Sequence, residues 1–193
     1  MPSAYAPSAE KAILLPRWAK GGSVAPGLLP RIAMNTAPDN LRIESATIED
    51  LPELTDLVMS LLEMEADFTP CQEKQRHGLR LILEAPNRGR IFVLRNEHKV
   101  IGMVNLLFTI STAEGGFVIL MEDVIVRPEH RGHGYGTRLV NHVKDFARKK
   151  DFKRITLLTD RVSQESQRFF ERNGFILSSM VPMRLLLGNE GNA

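Results

Sequence analysis

Residues Arg131-Gly132-His133-Gly134-Tyr135-Gly136 lie between an apolar run that ends at Val126 and an amphipathic run that begins at Thr137. The connection reads as strand, basic glycine loop, helix. Glycine at alternate positions removes Cβ atoms, so successive backbone N–H groups can converge on a single anion. The next helix adds its unpaired first-turn donors and the positive end of its dipole. Arg131 places a full positive charge at the rim. Any fold of this chain must therefore contain a strand–loop–helix unit shaped as a pyrophosphate cradle.

Three readings compete for such a loop. A Walker-type phosphate loop ends in Gly-Lys-Ser/Thr, whereas here Gly136 is followed by Thr137 and Arg138. A dinucleotide-binding Rossmann turn has more in its favour, because Gly132 and Gly134 form a G-x-G and Asp160 ends a later strand-like run. Against it, Thr137 holds the third fingerprint position and the acid comes late. Too little chain remains for several more parallel strands, and the stretch from Arg127 to Arg131, with Pro128, is too long for a tight Rossmann turn.

The third reading comes from the surrounding residues. The stretch Val124-Ile125-Val126-Arg127-Pro128-Glu129-His130-Arg131-Gly132-His133-Gly134-Tyr135-Gly136 closely resembles the acetyl-CoA motif of the GNAT N-acetyltransferase superfamily. That motif is Arg/Gln-x-x-Gly-x-Gly/Ala after a strand, and Arg131, Gly134 and Gly136 occupy its fixed positions. The superfamily's second motif comes at the expected distance as Phe169-Phe170-Glu171-Arg172-Asn173-Gly174-Phe175. The resemblance extends over residues 41–187.

Composition sets limits on the rest. A chain of 193 residues, 43% of them hydrophobic, is long enough for one domain with a proper core. A net charge of +2 gives no argument for nucleic acid or an anionic membrane surface as partner. The single cysteine, Cys71, excludes an internal disulfide and fits a reducing, cytoplasmic compartment. The apolar run from Phe117 to Val126 is interrupted by Glu122 and Asp123, so it is not a membrane span.

Residues 1–40 hold six of the eleven prolines and show no sustained period. Such a segment buries too little apolar surface to offset its ordering entropy. It reads as a disordered extension or an over-extended reading frame with Met34 as the true start, and its basic excess leaves a transit peptide open. The folded domain is expected over 41–188, followed by a flexible tail, 189–193.

Within that domain, Leu41–Ala46 reads as a strand and Thr47-Ile48-Glu49-Asp50 as a helix start with Thr47 as cap. Leu51, Leu54, Leu57, Val58, Leu61 and Leu62 continue at helical spacing. A second helix is expected over Glu73–Leu83. Ile91–Arg95 and Val100–Thr109 form a hairpin about a polar turn, with Gly102 marking a bulge. The long run Phe117–Val126 is next, then the cradle helix with Leu139, Val140, Val143, Phe146 and Ala147 on one stripe. Ile155–Thr159 is a short strand and Ser163–Arg172 a helix stopped by Asn173-Gly174. Phe175–Ser179 and Met183–Leu187 are expected to close the sheet. This order matches the superfamily, whose α+β, three-layer fold has a mixed, mostly antiparallel central sheet. The fourth and fifth strands splay apart in it, and helices cover both faces.

Strand Phe117–Val126 is apolar on both faces and should be central. An unpaired ionised carboxylate in such a strand is costly, so Glu122 and Asp123 either have partners or open onto a solvated site. On regular alternation Glu122 points the same way as Val124 and Val126. Transfer of an acetyl group to an amine requires the amine neutral, yet an alkylammonium has a pKa near 10. A carboxylate can take that proton, directly or through one water. Glu122 lies two residues, about 7 Å, upstream of Val124. The resemblance implies that pantetheine pairs with main-chain groups at Val124, Ile125 and Val126. The run Glu122-Asp123-Val124-Ile125-Val126 further resembles the diamine N-acetyltransferase branch, in which a glutamate at this place is the proposed base.

Carried over residue by residue, the resemblance assigns acetyl-CoA as co-substrate. It assigns cofactor contacts to Arg131, Gly132, His133, Gly134, Tyr135, Gly136 and Thr137 of the loop, and to Ser163, Ser166 and Phe170 of the second motif. It also implies a primary amine of a small molecule or peptide as acceptor, and many superfamily members are homodimers. The second motif departs from the family: serines replace an asparagine and an alanine, and Phe170 replaces a tyrosine that often protonates the departing thiolate. That acid is then water, Tyr135, another residue, or dispensable. A non-catalytic acyl-CoA-sensing domain and an NAD(P)-binding oxidoreductase stay open as alternatives. His130-x-x-His133 flanks a loop whose amides face phosphate, so no metal is expected; His77, His98 and His142 read as surface residues. Glu63, Glu65 and Asp67 cluster at the usual acceptor lid.

Overall fold

The computed structural model describes residues 40–63, 69–159, 163–185 and 187. The expected N-terminal extension, apart from Asn40, and the tail 189–193 lie outside these, as do Met34 and Trp18. The described residues form five strands, four helices and two 3-10 turns. Strand β1 spans Leu41–Ser45; a 3-10 turn, Ile48–Asp50, leads into helix α1, Leu51–Leu62. Helix α2 is Gln72–Leu83, followed by β2, Gly89–Asn96, and β3, Lys99–Ser111. Strand β4, Gly116–Val126, feeds a second 3-10 turn, Pro128–His130, and helix α3, Tyr135–Lys149. Strand β5, Ile155–Leu157, and helix α4, Gln164–Arg172, complete the set.

The strands lie in sequence order, β1-β2-β3-β4-β5. The first three pairings are antiparallel and β4–β5 is parallel. This is the mixed, mostly antiparallel sheet expected from the resemblance. It excludes the doubly wound parallel sheet that a Rossmann-type oxidoreductase requires.

Alternation along the strands divides the core into two layers. Phe92, Leu94, Val104, Leu106, Ile119 and Met121 meet Leu139, Val140, Val143 and Ala147 of α3 on one face. Ile91, Val93, Val100, Met103 and Ile125 meet Leu51, Leu54, Leu57 and Val58 of α1 and Leu79 of α2 on the other. The apolar spacing of α1 and α3 thus produces one buried stripe each, as the sequence pattern requires. His142, expected at the surface, instead sets its ring edge-on to Phe92 with centroids 4.6 Å apart. Burial lowers its pKa.

The sheet departs from regularity in two places. Between Leu94 and Arg95 the β2–β3 register shifts, with Leu94 opposite Gly102 and Arg95 opposite Val100. Between Met103 and Asn105 the β3–β4 register shifts again: Met103 faces Ile125 and Asn105 faces Glu122. One residue of β3 therefore opposes two of β4, Asp123 and Val124, which is a β-bulge. Asp123 takes φ 42° there.

The helix start at Thr47 forms as expected. The Thr47 N–H donates to Asp50 Oδ2 at 2.9 Å. Asp50 is 6% exposed, and its other oxygen receives the Arg95 guanidinium, which also reaches Glu44. One partly buried arginine thereby ties β1, β2 and the start of α1 together, and removing Arg95 would leave Asp50 a buried, unpaired charge.

The last two expected strands do not form among the described residues. Residues 175–185 and 187 carry no strand hydrogen bonding, and Ile176, Leu177, Met180, Val181, Met183, Leu185 and Leu187 are exposed. Apolar, β-prone composition makes a strand only where a neighbour offers a ladder, and β5 provides three residues on which to build one.

The approach of β3 to β4 leaves a measurable signature at Gly102. A Cβ added there would stand 2.8 Å from the Ile125 carbonyl oxygen. Because that neighbour is backbone, Gly102→Ala should destabilise the fold by about 1–3 kcal/mol. Chemical denaturation would measure this; an unchanged midpoint would mean the two strands can separate at the bulge without cost.

Candidate active site

Strand β4 pairs with β5 only at Ile119, Leu120 and Met121. Glu122 is the first residue beyond that pairing, so Glu122–Val126 leave the β5-facing edge of β4 without a strand among the described residues. This is the splay that the resemblance anticipates. The bulge falls in the same stretch and inverts the alternation. Ile119 and Met121 lie on the α3 face, as do Val124 and Val126, while Ile125 lies on the α1/α2 face. Glu122 faces Asn105 directly, on the opposite side from the Leu106–Met121 pair. Its side chain therefore belongs to the α1/α2 face. The expectation that Glu122 points with Val124 and Val126 is thus corrected: it assumed an unbroken period of two, and the extra residue breaks it.

The two adjacent acids occupy unequal settings. Glu122 is partly buried, and burial, reinforced by the charge of Asp123, raises its pKa above the ordinary carboxylate range. Asp123 is raised by burial as well, opposed by a hydrogen bond from Asn105. In that bond Asn105 Nδ2 donates to Asp123 Oδ2 at 3.1 Å. Among the described residues neither acid has an ion-pair partner. A carboxylate with a raised pKa beside an open strand edge has the chemistry of a general base.

The glycine loop runs from the end of β4 to α3. Gly132 has φ 80° and Gly134, the N-cap of α3, φ 76°, values that L-residues adopt at a cost. A Cβ at either position would meet no atom within 4 Å, so the left-handed backbone, not crowding by protein, demands glycine there. The Arg138 N–H closes the first helical turn on Gly134 O at 3.1 Å. The N–H groups of Tyr135, Gly136 and Thr137 are thereby left outside the helix's own bonding. None of the N–H groups of Gly132, His133 and Gly134 has a backbone partner among the described residues. Six consecutive donors and a helix N-terminus fit an extended phosphate anion such as a pyrophosphate.

Gly136 serves a different purpose from the other two. It is helical, and a Cβ there would stand 3.1 Å from the Phe169 ring, so its bareness lets α4 press onto the first turn of α3. Asn173, 5% exposed, reinforces that contact by donating from Nδ2 to Phe169 O at 2.8 Å and to Thr137 Oγ1 at 3.5 Å. Sequence reasoning assigns Asn173 only to a helix stop. Gly174, at φ 85°, does complete that stop, with Gly174 N–H bonded to Glu171 O and Phe175 N–H to Phe170 O. The Asn-Gly pair signals the turn, but its tie to Thr137 exists only in three dimensions.

The remaining residues expected at the cofactor make contacts within the protein. Arg131 Nε donates to Val126 O at 2.9 Å, so this arginine folds the loop back onto the end of β4. His133 and Tyr135 stack at 5.5 Å between centroids, and His133 Nδ1 lies 3.3 Å from His130 O. Ser163 Oγ accepts from Ser166 N–H at 3.4 Å and bonds Ser166 Oγ at 2.9 Å, which engages both hydroxyls in the cap of α4. Phe170 packs edge-on between Phe169 and Phe175. Glu65 and Asp67 lie outside the described residues.

A cleft of about 310 Å³ lies at the opposite end of α3, lined by Lys144, Arg148, Lys153, Arg154 and Phe175 among others. Arg148, Lys153 and Arg154 are already paired with Asp145, Asp151 and Glu114, and the negative end of the helix lies there. It is a poor anion site beside the glycine loop. No described helix is long and apolar enough to cross a membrane.

Known proteins supply an independent comparison. Residues 57–175 match the Acetyltransferase (GNAT) family. The chain is 26% identical over 133 residues to the aminoalkylphosphonate N-acetyltransferase of Salmonella typhimurium LT2, covering 69% of this chain and 83% of that one. The fold superposes on a protein of Clostridium difficile 630 described as a possible acetyltransferase, with TM-score 0.72 and 16% identity over 77% of this chain and 99% of the other. It also superposes on an aminoglycoside acetyltransferase from an uncultured soil metagenomic sample, with TM-score 0.65 and 21% identity over 78% and 99%. With more than half of its length matched and the splayed sheet and glycine loop in place, the chain belongs to the acetyltransferase (GNAT) family and is an N-acetyltransferase.

Proposed function

We propose that the protein transfers an acetyl group from acetyl-CoA to a primary amine of a small molecule or peptide, with Glu122 as general base. The observation that carries this reading is the position of Glu122. It stands where β4 leaves β5, one residue before the left-handed Asp123, with its pKa raised by burial. The residues present fit the co-substrate. The N–H groups from Gly132 to Thr137 would hold the pyrophosphate, and the open edge at Val124 and Ile125 would hold the pantetheine amides. Val126 O is already taken by Arg131. When bound, acetyl-CoA supplies an activated acetyl thioester.

The acceptor arrives largely as an ammonium ion, since alkylamines have pKa values near 10. Glu122 accepts one of its protons, leaving a neutral nitrogen with a free lone pair. Phe170 has no proton to give, and its role is packing between Phe169 and Phe175. The similarity to an aminoalkylphosphonate N-acetyltransferase supports a small-molecule acceptor. A panel of an aminoalkylphosphonate, a diamine, an aminoglycoside and a peptide with a free N-terminus, read by thiol release, tests the reaction and ranks the acceptors. No thiol release above hydrolysis with any of them would defeat the proposal.

Glu122→Gln keeps shape but cannot take a proton. Its kcat at pH 7 should fall by roughly 10²–10⁴, with acetyl-CoA affinity near that of the parent. The wild-type rate should fall as pH drops through the raised pKa of Glu122, whereas the variant should recover only as pH approaches the amine's own pKa. Stability should move the other way. A carboxylate whose pKa is raised by folding destabilises the fold once ionised; the penalty is absent below its unfolded pKa and complete above the folded value. Glu122→Gln should therefore hold or raise Tm at pH 7. A variant that loses Tm while keeping its rate per folded molecule would make Glu122 a structural acid.

For the loop, Gly134→Val should weaken acetyl-CoA binding at least tenfold, because a β-branched residue resists φ 76° and fills the space before the N–H groups. Calorimetric titration measures it, and an unchanged Kd would remove this loop from the binding site.

A further inference from the structure

Asn105 is the most deeply buried polar side chain near the candidate base, at 3% exposure. Its Nδ2 donates to Asp123, while its Oδ1 is buried and has no hydrogen-bond partner among the described residues. The opposite amide orientation would set Oδ1 against the Asp123 carboxylate and leave the amide N–H groups without a partner, so the assigned one stands. Glu122 is directly across from Asn105 on the same face of the sheet. The bulge presents Asp123 beside both, through a left-handed backbone that most residues avoid.

Three acceptors therefore neighbour one another on this face, the Asn105 carbonyl and two carboxylates, and the one side-chain donor to them among the described residues is Asn105 Nδ2 on Asp123 Oδ2. A buried acceptor left unpaired costs free energy, and two neighbouring carboxylates raise each other's burden. A primary ammonium has the complementary chemistry: three N–H donors, no acceptor and a positive charge. Water would satisfy the carbonyl but would leave the two acids uncompensated.

Resting on the acetyltransferase reading above, we infer that Asn105, Asp123 and Glu122 form a receptacle for the acceptor's primary ammonium, on the α1/α2 face of the sheet. Asn105 Oδ1 and the Asp123 carboxylate each accept one N–H and retain it, while Glu122 accepts the third and removes its proton. The receptacle selects cationic alkylamines over aromatic amines, which are neutral at pH 7, and over neutral alcohols. Asp123 binds the acceptor without itself taking the proton, so it governs KM and Glu122 governs kcat.

Two kinds of measurement test this. In the first, without acetyl-CoA, n-butylammonium chloride should raise the Tm of the wild-type protein saturably, and 1-butanol at the same concentration and ionic strength should not. Asp123→Asn, which tolerates the left-handed backbone, should abolish that response. In the second, with n-butylamine as acceptor, Asp123→Asn and Asn105→Leu should each raise KM at least tenfold while kcat stays within about threefold. Asp123→Gly relieves the backbone strain but strips Asn105 Nδ2 of its acceptor, and KM should rise in the folded variant. A merely structural Asp123 would leave KM alone in that variant. Equal responses to butylammonium and butanol, or an unchanged KM in folded Asp123→Asn, overturn the receptacle. If the wild-type protein acetylates no amine at all, the acetyltransferase reading fails instead, and the receptacle is judged on the Tm responses alone.

Discussion

One inserted residue in β4 controls the geometry of this protein. A sheet strand has a period of two, so a single extra residue exchanges the faces of everything beyond it. Before the bulge, Ile119 and Met121 feed the α3 layer; after it, Val124 and Val126 do. The register to β3 resumes at Ile125 opposite Met103. On the far edge, pairing with β5 stops at Met121. The same local event thus opens the strand edge, places two acids in succession at the opening and sends the chain into the glycine loop.

The loop divides its labour among residues that look alike in the sequence. Gly132 and Gly134 supply left-handed backbone, whereas Gly136 supplies closeness to Phe169. Arg131, which reads as a rim charge for an anion, also braces the loop against the end of β4 through Val126. Charge and brace are compatible, because a guanidinium keeps four further N–H donors once Nε is used.

Much of the architecture was legible in the residues because local and global signals agree. The capped start at Thr47, the polar turn at Glu97-His98, the apolar stripe of α3 and the stop at Asn173-Gly174 each carry a chemistry that operates within a few residues. What was not legible depends on partners far along the chain. Asp123 within an apolar run looks like an ordinary alternating position, and only β3 reveals the extra residue. Phe175–Ser179 and Met183–Leu187 have strand composition, yet a ladder needs a neighbour that the described residues do not provide. Asn105 escapes notice in the sequence because a lone asparagine in a hydrophobic strand carries no motif. Its buried, half-satisfied amide is visible only beside Glu122 and Asp123.

The clasp between the two helices has a dynamic consequence. Helix α4 contains no fully buried side chain, and its apolar hold on the core comes from the partly buried Phe169 and Phe170. Its ties to the first turn of α3 include the Phe169 ring against Gly136 and, at its C-cap, the Asn173 amide on Thr137. Local opening of α4 would release both at once and let that first turn fray. The protection of the first-turn amides of α3 is then coupled to the opening of a neighbouring helix, and the two termini should exchange their protons together.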